Sequence, residues 1–467
     1  MKKKTMLSLM RFQLVDGVPK VNQLVDFIAR TVEEGRLEPG SRLPSLREFC
    51  EQLSVSKYTV VDALERLRAR GLVTSAPGRG YFISRDSLPG GPVAPAIPAT
   101  ADLHTRLKRA FATNSTLLRP GCGFFPEAWL DTGLFRKALR HTLRTPRLRF
   151  MEYGHPLGYL PLRQTLQLKL AEAGLRVPAD NITLTGSTMN AIDLLLRVQL
   201  SPGDTVLLDD LCYFNFTANL RQHRANVVFV PRGHQGVTPA ALEALLIAHR
   251  PRVFITSGLM HNPTGHSYSL DEMVALITLL SRYGCHLIED DLYHDLMENP
   301  PPPMAALAGL ANASYISGFS KLLSANMRVG YIAANPALTQ AITQLKSLTG
   351  SVTCEFTEQA LCQFFRDGSY YRHQRRLVSR LAESSARVGG WLQAAGCRFP
   401  VRYTGGLFLW AELPAHCDAE ALAERALTEG IALAPGTLFG GGRQTMRFNI
   451  AHSDDQRVSE RVSALLG

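Results

Sequence analysis

The stretch Ser317-Gly-Phe-Ser-Lys-Leu-Leu-Ser-Ala-Asn-Met-Arg-Val-Gly-Tyr331 places one lysine and one arginine between two apolar runs. The runs 313–319 and 329–334 have the composition of buried strands, so Lys321 follows a predicted strand end and Arg328 precedes the next strand. A lysine held in such a pocket can form an imine with an aldehyde, while the nearby cation binds an anionic group. Strand-end lysines are more often simply solvated, so the rest of the chain must decide between these interpretations.

Predicted strands alternate with predicted helices from about residue 180 onward. The strands are 182–185, 205–208, 227–230, 253–256 and 286–288, and the helices are 189–199, 239–248 and 270–283. This alternation is typical of a mostly parallel sheet with helices on both faces. Ligands of such folds bind where strands end and helices begin, so polar residues at those ends are candidate site residues.

Three strand ends carry residues that suit a heteroaromatic ring. Asn262, in His261-Asn-Pro-Thr-Gly265, is fixed by a following proline and can donate to a phenolate oxygen. Asp290 can hold a protonated ring nitrogen, and Tyr293 can add a second phenolate donor. Tyr213 offers a flat face for stacking, although a core tyrosine explains it equally well.

Two further segments suit anionic groups. Gly186-Ser-Thr-Met-Asn190 opens a helix, where small residues either hold a phosphate or form an ordinary cap. Arg447 lies in the middle of an apolar strand, so it either pairs with a protein carboxylate or awaits the carboxylate of a ligand. Together with Lys321 and Arg328, these residues describe a site for pyridoxal 5′-phosphate.

The first 86 residues predict a separate small module. Helical spacing begins near Val21, Ser45 and Glu48 form a capping box for a second helix, and Ser56 caps a third. The turn Ala76-Pro-Gly-Arg-Gly80 then indicates a hairpin. This order of elements is that of a winged helix-turn-helix. The predicted DNA-binding residues are Arg47, Ser56, Lys57, Tyr58, Thr59, Arg79 and Gly80.

Composition sets the limits of the interpretation. The chain has 467 residues, which predicts two or three domains. Its net charge of +11 permits a polyanionic partner such as nucleic acid without requiring one. For the N-terminal module, a protein-docking role with solvated arginines is the alternative to DNA binding. The segment 87–104 is rich in proline, glycine and alanine, which predicts a linker between domains 12–86 and 105–467. The eight cysteines show no zinc spacing. No metal site, no export and no membrane span are expected, which predicts a cytoplasmic protein.

The N-terminal module resembles the DNA-binding domain of the GntR family. Leu43-Pro-Ser-Leu-Arg-Glu-Phe-Cys50 matches the family pattern L-P-S-x-R-x-L-A except at its last two positions. Lys57 replaces the usual arginine of V-S-R-x-T-V, and the family's G-x-G is present in the hairpin turn. Neither departure removes a donor needed for DNA.

The remainder, 105–467, resembles the fold-type I aminotransferases, with a large subdomain at about 150–345 and a small one at about 346–467. The resemblance implies that Lys321 forms the imine with the cofactor and that Arg447 receives a substrate carboxylate. The implied cofactor-binding residues are Lys321, Asp290, Tyr293, Asn262, Tyr213, Ser187, Thr188, Arg328, Ser320 and Tyr153, the last reaching the site of a partner subunit. Gly318 departs from the family, which usually has serine or threonine there.

The two halves together resemble the MocR subfamily of GntR-type transcriptional regulators. The implied fold is an N-terminal winged helix-turn-helix followed by an α/β fold-type I domain with a large doubly wound mixed sheet and a smaller α+β part. The implied function is a homodimeric regulator that binds a double-stranded operator and senses an amino acid or amine through its cofactor. A working aminotransferase with an accessory DNA-binding module is the alternative, and a scaffold with a decayed pocket is a third.

Overall fold

The computed structural model describes residues 15, 17–33, 36–37, 39–76, 79–84, 102–112, 117–145, 151–233 and 235–467. The chain forms two compact units, Met1–Thr100 and Ala101–Gly467. Most of the predicted linker (87–101), the start of the chain (1–14) and the turn residues 77–78 lie outside the described residues.

The first unit has the predicted winged-helix order. Its elements are α1 (Lys20–Glu33), α2 (Leu46–Leu53), α3 (Lys57–Ala69), β1 (Val73–Ala76) and β2 (Gly80–Ile83), the two strands being antiparallel. The Ser45 hydroxyl accepts from the Glu48 amide and the Glu48 carboxylate accepts from the Ser45 amide, which confirms the capping box. Apolar residues from all three helices and both strands, among them Phe49 and Leu64, form its core.

The second unit is built on a seven-stranded sheet. Its strands are β3 (Ile182–Thr185), β4 (Thr205–Asp209), β5 (Asn226–Val230), β6 (Val253–Thr256), β7 (His286–Asp290), β8 (Ala313–Gly318) and β9 (Gly330–Ala333). They lie in the order β3-β9-β8-β7-β6-β4-β5, and only β9 runs antiparallel to its neighbours. The predicted mixed sheet is confirmed, and Lys321 lies in the turn after β8, which ends at Gly318.

A smaller antiparallel sheet follows, in the order β10-β12-β11. Its strands are β10 (Phe408–Glu412), β11 (Ala434–Pro435) and β12 (Thr445–Asn449). The helices of this unit are α4 (Leu103–Ala112), α5 (Thr132–Leu143), α6 (Leu160–Glu172), α7 (Thr188–Gln199), α8 (Phe214–Gln222), α9 (Pro239–His249), α10 (Leu270–Arg282), α11 (Met304–Ala308), α12 (Pro336–Thr349), α13 (Glu355–Arg366), α14 (Ser369–Ala394), α15 (Ala419–Thr428), α16 (Ile450–Ser453) and α17 (Gln456–Leu466).

The seven-stranded sheet is buried on both faces. All four residues of β6 are buried, and Phe254 packs into one hydrophobic core while Val253 and Ile255 pack into a second. Neighbouring β7 alternates in the same way, with Leu287 in the first core and Ile288 in the second. Continuous apolar strands of this kind place polar side chains at the strand ends, where the candidate site residues lie.

Candidate functional site

Lys321 lies in a pocket closed by a loop from far earlier in the chain. Its Nζ donates to the Gly123 carbonyl oxygen at 2.7 Å and lies 3.9 Å from the centroid of the Phe124 ring. Burial, reinforced by the charge of Arg447, lowers the pKa of Lys321 to about 8. An appreciable share of this amine is therefore neutral near physiological pH, which is the form that attacks an aldehyde.

Asp290 ends β7 and faces the same pocket. Burial and the neighbouring Asp291 raise the pKa of Asp290 to about 7, while Lys321 acts in the opposite direction. Its Oδ1 is buried and has no hydrogen-bond partner among the described residues. A buried carboxylate oxygen without a partner requires an explanation, and a protonated ring nitrogen supplies the missing donor. The residues present therefore fit the predicted cofactor at this position.

Arg447 lies in β12 between two aromatic rings. Its guanidinium carbon is 4.2 Å from the Phe408 centroid and 4.4 Å from the Phe439 centroid. It donates to Asn262 Oδ1 at 2.6 Å and to the Gly121 carbonyl oxygen at 2.7 Å. Burial lowers its pKa to about 10, so it stays charged at neutral pH. Its acceptors are uncharged, and no carboxylate among the described residues pairs with it.

Asn262, Tyr293 and Tyr213 surround the same space. The Asn262 amide oxygen is occupied by Arg447, which leaves the N–H groups as its remaining hydrogen-bonding capacity. Tyr293 is 5% exposed, and burial raises its pKa. The charges of Arg447 and Asp290 also act on the pKa of Tyr213 and Tyr293, which shows that these groups are neighbours. Both hydroxyls stay protonated and can donate.

The anion-binding candidates gather at the start of α7. Ser187 caps this helix, its Oγ accepting from the Asn190 amide at 3.0 Å. Gly186 and Arg328 line one open cleft of about 430 Å³, and Arg328 takes the left-handed conformation with a φ of 53°. A helix N-terminus and a guanidinium on one cleft both favour an anion there. Ser320, next to Lys321, is half-buried.

The structure explains why residue 318 is glycine. A Cβ at Gly318 would lie 3.2 Å from Gly330 Cα, from Thr188 Cγ2 and from the Val329 carbonyl oxygen. A Cβ at Gly330 would in turn lie 2.8 Å from the Ser187 carbonyl carbon. Strands β8 and β9 therefore pass close to the start of α7, where a side chain at Gly330 would force a shift and one at Gly318 would need its neighbours to give by a few tenths of an ångström.

The loop 121–125 was not predicted as part of the site. The Asn449 Nδ2 donates to the carbonyl oxygens of Cys122 at 2.9 Å and Phe124 at 2.8 Å, which fixes the loop over Lys321. A Cβ at Gly121 would lie 2.6 Å from the Ala434 amide nitrogen, so this position requires glycine. The sequence signal was the run Gly-Cys-Gly-Phe-Phe, in which small residues precede two aromatic ones.

A buried arginine supports the segment that carries Asn262 and was also missed. Arg232 Nη1 donates to Asp209 Oδ2 at 2.7 Å, and its Nη2 donates to the Ser257 carbonyl oxygen at 3.0 Å. His261 Nε2 lies 3.6 Å from the same Asp209 oxygen. The paired charges of Asp209 and Arg232 thus hold the chain at the end of β6, close before Asn262. An arginine two residues beyond a predicted strand was the available signal.

Among the contacts of the described residues, none joins Tyr153 to Lys321 of the same chain. It is 97% exposed, as is Met151. The following residues are firmly anchored, because the buried Lys346 donates to the Pro156 carbonyl oxygen and Glu358 accepts from the Tyr159 amide at 2.8 Å. The Tyr153 ring is therefore exposed to solvent, on a segment whose following residues are held by hydrogen bonds.

The predicted DNA-binding residues of the first unit lie on α2, at the start of α3 and in the β1–β2 hairpin. Lys57 and Tyr58 are exposed at the start of α3, Tyr58 by 79%. The Ser56 and Thr59 hydroxyls lie 2.8 Å apart, and Ser56 accepts from the Thr59 amide, so both are engaged in capping. Arg47 pairs with exposed Glu51 at 2.7 Å. Arg79, which is exposed, lies in the hairpin turn, and Gly80, which has a φ of 101°, begins β2.

Comparison with known proteins gives two family matches. The model of aminotransferase class I and II matches residues 135–465, and that of the gntR family of bacterial regulatory proteins matches residues 20–83. YdcR of Escherichia coli (strain K12), an uncharacterized HTH-type transcriptional regulator, is 28% identical over 96% of this chain and 98% of its own.

Two further likenesses are to aminotransferases. The 2-aminoadipate transaminase of Thermus thermophilus is 31% identical over 68% of this chain and 80% of its own. The solved structure of LysN, an α-aminoadipate aminotransferase of Thermus thermophilus complexed with N-(5′-phosphopyridoxyl)-L-leucine, superposes with a TM-score of 0.70. It has 26% identity and covers 79% of this chain and 95% of that one. The chain therefore belongs to the aminotransferase class I and II family, in the MocR form that carries an N-terminal GntR-type helix-turn-helix.

Proposed function

We propose that this protein is a cytoplasmic transcriptional regulator that binds double-stranded DNA and senses an amino acid or related amine through pyridoxal 5′-phosphate. The observation that carries the proposal is the pocket of Lys321 and Asp290, in a chain that also has a GntR-type unit. The lysine has a lowered pKa, and the aspartate oxygen lacks a partner. The proposed domains are 12–86, which binds DNA, and 105–467, which binds the cofactor, and the linker 87–104 joins them.

The cofactor, when bound, supplies an aldehyde that exchanges between amines and a ring that withdraws electrons. In the proposal Lys321 would bind the aldehyde, Asp290 would pair with the ring nitrogen and Tyr213 would offer its ring for stacking. Asn262 and Tyr293 donate to the phenolate oxygen. The proposed phosphate-binding residues are Ser187, Thr188, Ser320 and Arg328, because the cleft between α7 and Arg328 suits an anion.

The effector is proposed to carry a carboxylate beside its amine. The Arg447 guanidinium is buried among aromatic rings and bonded only to uncharged acceptors in the described part of the chain, so its charge remains available. Two parallel N–H groups suit a carboxylate. An effector that binds one conformation of the chain better than another would shift the population toward it, and DNA affinity would change if the two conformations differ in that affinity.

We further propose a homodimer. Tyr153 and Met151 are almost fully exposed on an anchored segment, which is costly for large apolar side chains unless another surface covers them. A second copy of the chain would provide that surface, and Tyr153 would then complete the partner subunit's site.

The test is a titration of the purified protein with amino acids and amines, monitored by visible absorbance. Wild type should show an imine band that borohydride reduces onto Lys321, and a subset of ligands should shift this band. Lys321→Ala should lose the band and the reducible bond, while Lys346→Ala, which removes another buried lysine, should retain the reducible bond if it folds. A band that persists in Lys321→Ala would contradict the assignment.

A working aminotransferase remains the second candidate. The lowered pKa of Lys321 favours it, because an amine that is partly neutral near pH 8 can also accept a proton. Turnover of an amino acid with a keto acid at 1 s⁻¹ or above, about the lower end of common enzymatic rates, would support catalysis as the main role. Single-turnover conversion without sustained turnover would support the sensor.

A further inference from the structure

A strongly basic face lies on the second unit, outside the cofactor pocket. The segment 132–151 contains six lysines and arginines and no aspartate or glutamate. The segment 368–382 contains four arginines and likewise no acidic residue. In the structure these segments include α5 and the first half of α14. We define the basic face by the exposed residues Arg136, Lys137, Arg140, Arg144 and Arg375 of these segments, together with Arg366, the exposed last residue of α13.

The two segments adjoin one another. Lys137 Nζ lies 3.3 Å from Asp367 Oδ2, just before α14 begins. The Phe135 ring packs edge-on against Phe364 of α13, with centroids 5.1 Å apart. Arg376 Nη1 is 3.9 Å from Asp131 Oδ2 at the start of α5. The cations of α5, α13 and α14 therefore belong to one continuous surface.

Most of these charges are not neutralised within the protein. Arg136, Arg140, Arg144, Arg366 and Arg375 have no ion pair with any carboxylate in the described ranges, whereas Lys137 pairs with Asp367 and Arg376 pairs with Asp131. Arg136, Arg140 and Arg144 follow at intervals of four residues, so they lie along one side of α5, about 6 Å apart along its axis. Like charges at this spacing repel, which an external polyanion would relieve.

We propose that the basic face binds the phosphate backbone of duplex DNA, as a contact of the aminotransferase-like unit in addition to the winged helix. This inference rests on the proposed DNA-binding function. A row of guanidinium groups without sequence-reading neighbours suits phosphates rather than base edges. Because the GntR-type unit is on the same chain, binding by that unit raises the local concentration of DNA around the second unit.

The test measures binding of the full-length protein to a 60-base-pair duplex of random sequence over a range of KCl concentrations. The variant R136Q/R140Q/R144Q removes three charges from α5. The control R176Q/R221Q/R402Q removes three exposed charges of the same unit that are not on α5, α13 or α14. Each phosphate contact contributes about 0.9 to the slope of log affinity against log salt. The variant should therefore lose about 2 to 3 from this slope and bind at least about tenfold more weakly near 100 mM salt.

The control should bind as wild type does, and both proteins should keep the wild-type melting temperature. If R136Q/R140Q/R144Q does not fold, R366Q/R375Q provides an independent variant, with an expected loss of about 1 to 2 in slope. A wild-type slope in the folded variants would overturn this inference alone. Absence of duplex binding by wild type would overturn the DNA-binding proposal as well. Displacement by poly-glutamate as effective as by duplex would indicate an acidic protein partner and contradict the DNA assignment.

Discussion

At the scale of single residues, the pocket contains two buried polar groups that no other described residue fully satisfies. Asp290 has a buried oxygen without a donor, and Arg447 has a buried charge without a carboxylate in the described part of the chain. Burying such groups unpaired reduces the stability of the protein without ligand. A cofactor with a ring nitrogen and an effector with a carboxylate would satisfy both. The site is therefore expected to favour ligand binding at a cost to folding.

The substitution Asp290→Asn should separate the effect of Asp290 on folding stability from its effect on cofactor binding. The pKa of Asp290 is raised from 3.8 to about 7, so its contribution to stability is present below pH 4 and is lost as the pH rises through 7. The cofactor-free Asn variant should therefore melt at a higher temperature than wild type at pH 8, with little difference at pH 4. Its affinity for pyridoxal 5′-phosphate should fall about 10- to 100-fold, because a charge-assisted bond is lost.

Thermal melting of the cofactor-free proteins and absorbance titration with the cofactor provide the two readouts. Asp271→Asn, at an acidic residue in the first turn of α10, serves as the matched control and should leave cofactor affinity unchanged. Weaker cofactor binding together with lower stability at pH 8 would show that Asp290 acts as a structural residue instead.

At the scale of elements, the site depends on how closely strands and helices approach. The sequence predicted the strands and the helix starts because apolar runs and capping residues are local signals. It also predicted Asn262, Asp290, Lys321 and Arg447 as candidates, because each falls in a strand, at its end or in the segment that follows it. It did not predict the loop 121–125, since the contact between Gly123 and Lys321 spans 198 residues of chain and leaves no local pattern.

Gly318→Ala tests the close approach of β8 to α7. The added Cβ would meet two backbone atoms and Thr188 at 3.2 Å, so strand or helix must shift. We expect a loss of about 1–3 kcal/mol in unfolding free energy and weaker cofactor binding through a displaced helix N-terminus. Gly442→Ala, where a Cβ would meet nothing within 4 Å, is the control. Equal denaturation midpoints and cofactor affinities for the two variants would rule out this role for Gly318.

At the scale of the whole molecule, one chain joins two compact units, Met1–Thr100 and Ala101–Gly467. From composition, the sequence predicts a linker at 87–104, whereas the position of one unit relative to the other leaves no trace in local patterns. Regulation requires that ligand binding in the second unit change DNA binding by the chain. Thermodynamic linkage makes this coupling reciprocal, so DNA should also change the affinity for the effector.

The most direct test follows DNA affinity and the visible absorbance band of the cofactor in one titration. Duplexes that wild type selects from a random-sequence pool are titrated with and without an amino acid that shifts the visible band, for wild type and for Lys321→Ala. The account predicts that the ligand changes the DNA affinity of wild type about 5- to 150-fold and leaves that of Lys321→Ala unchanged. A ligand that shifts the band of wild type fully while its DNA affinity stays constant would contradict the sensor function.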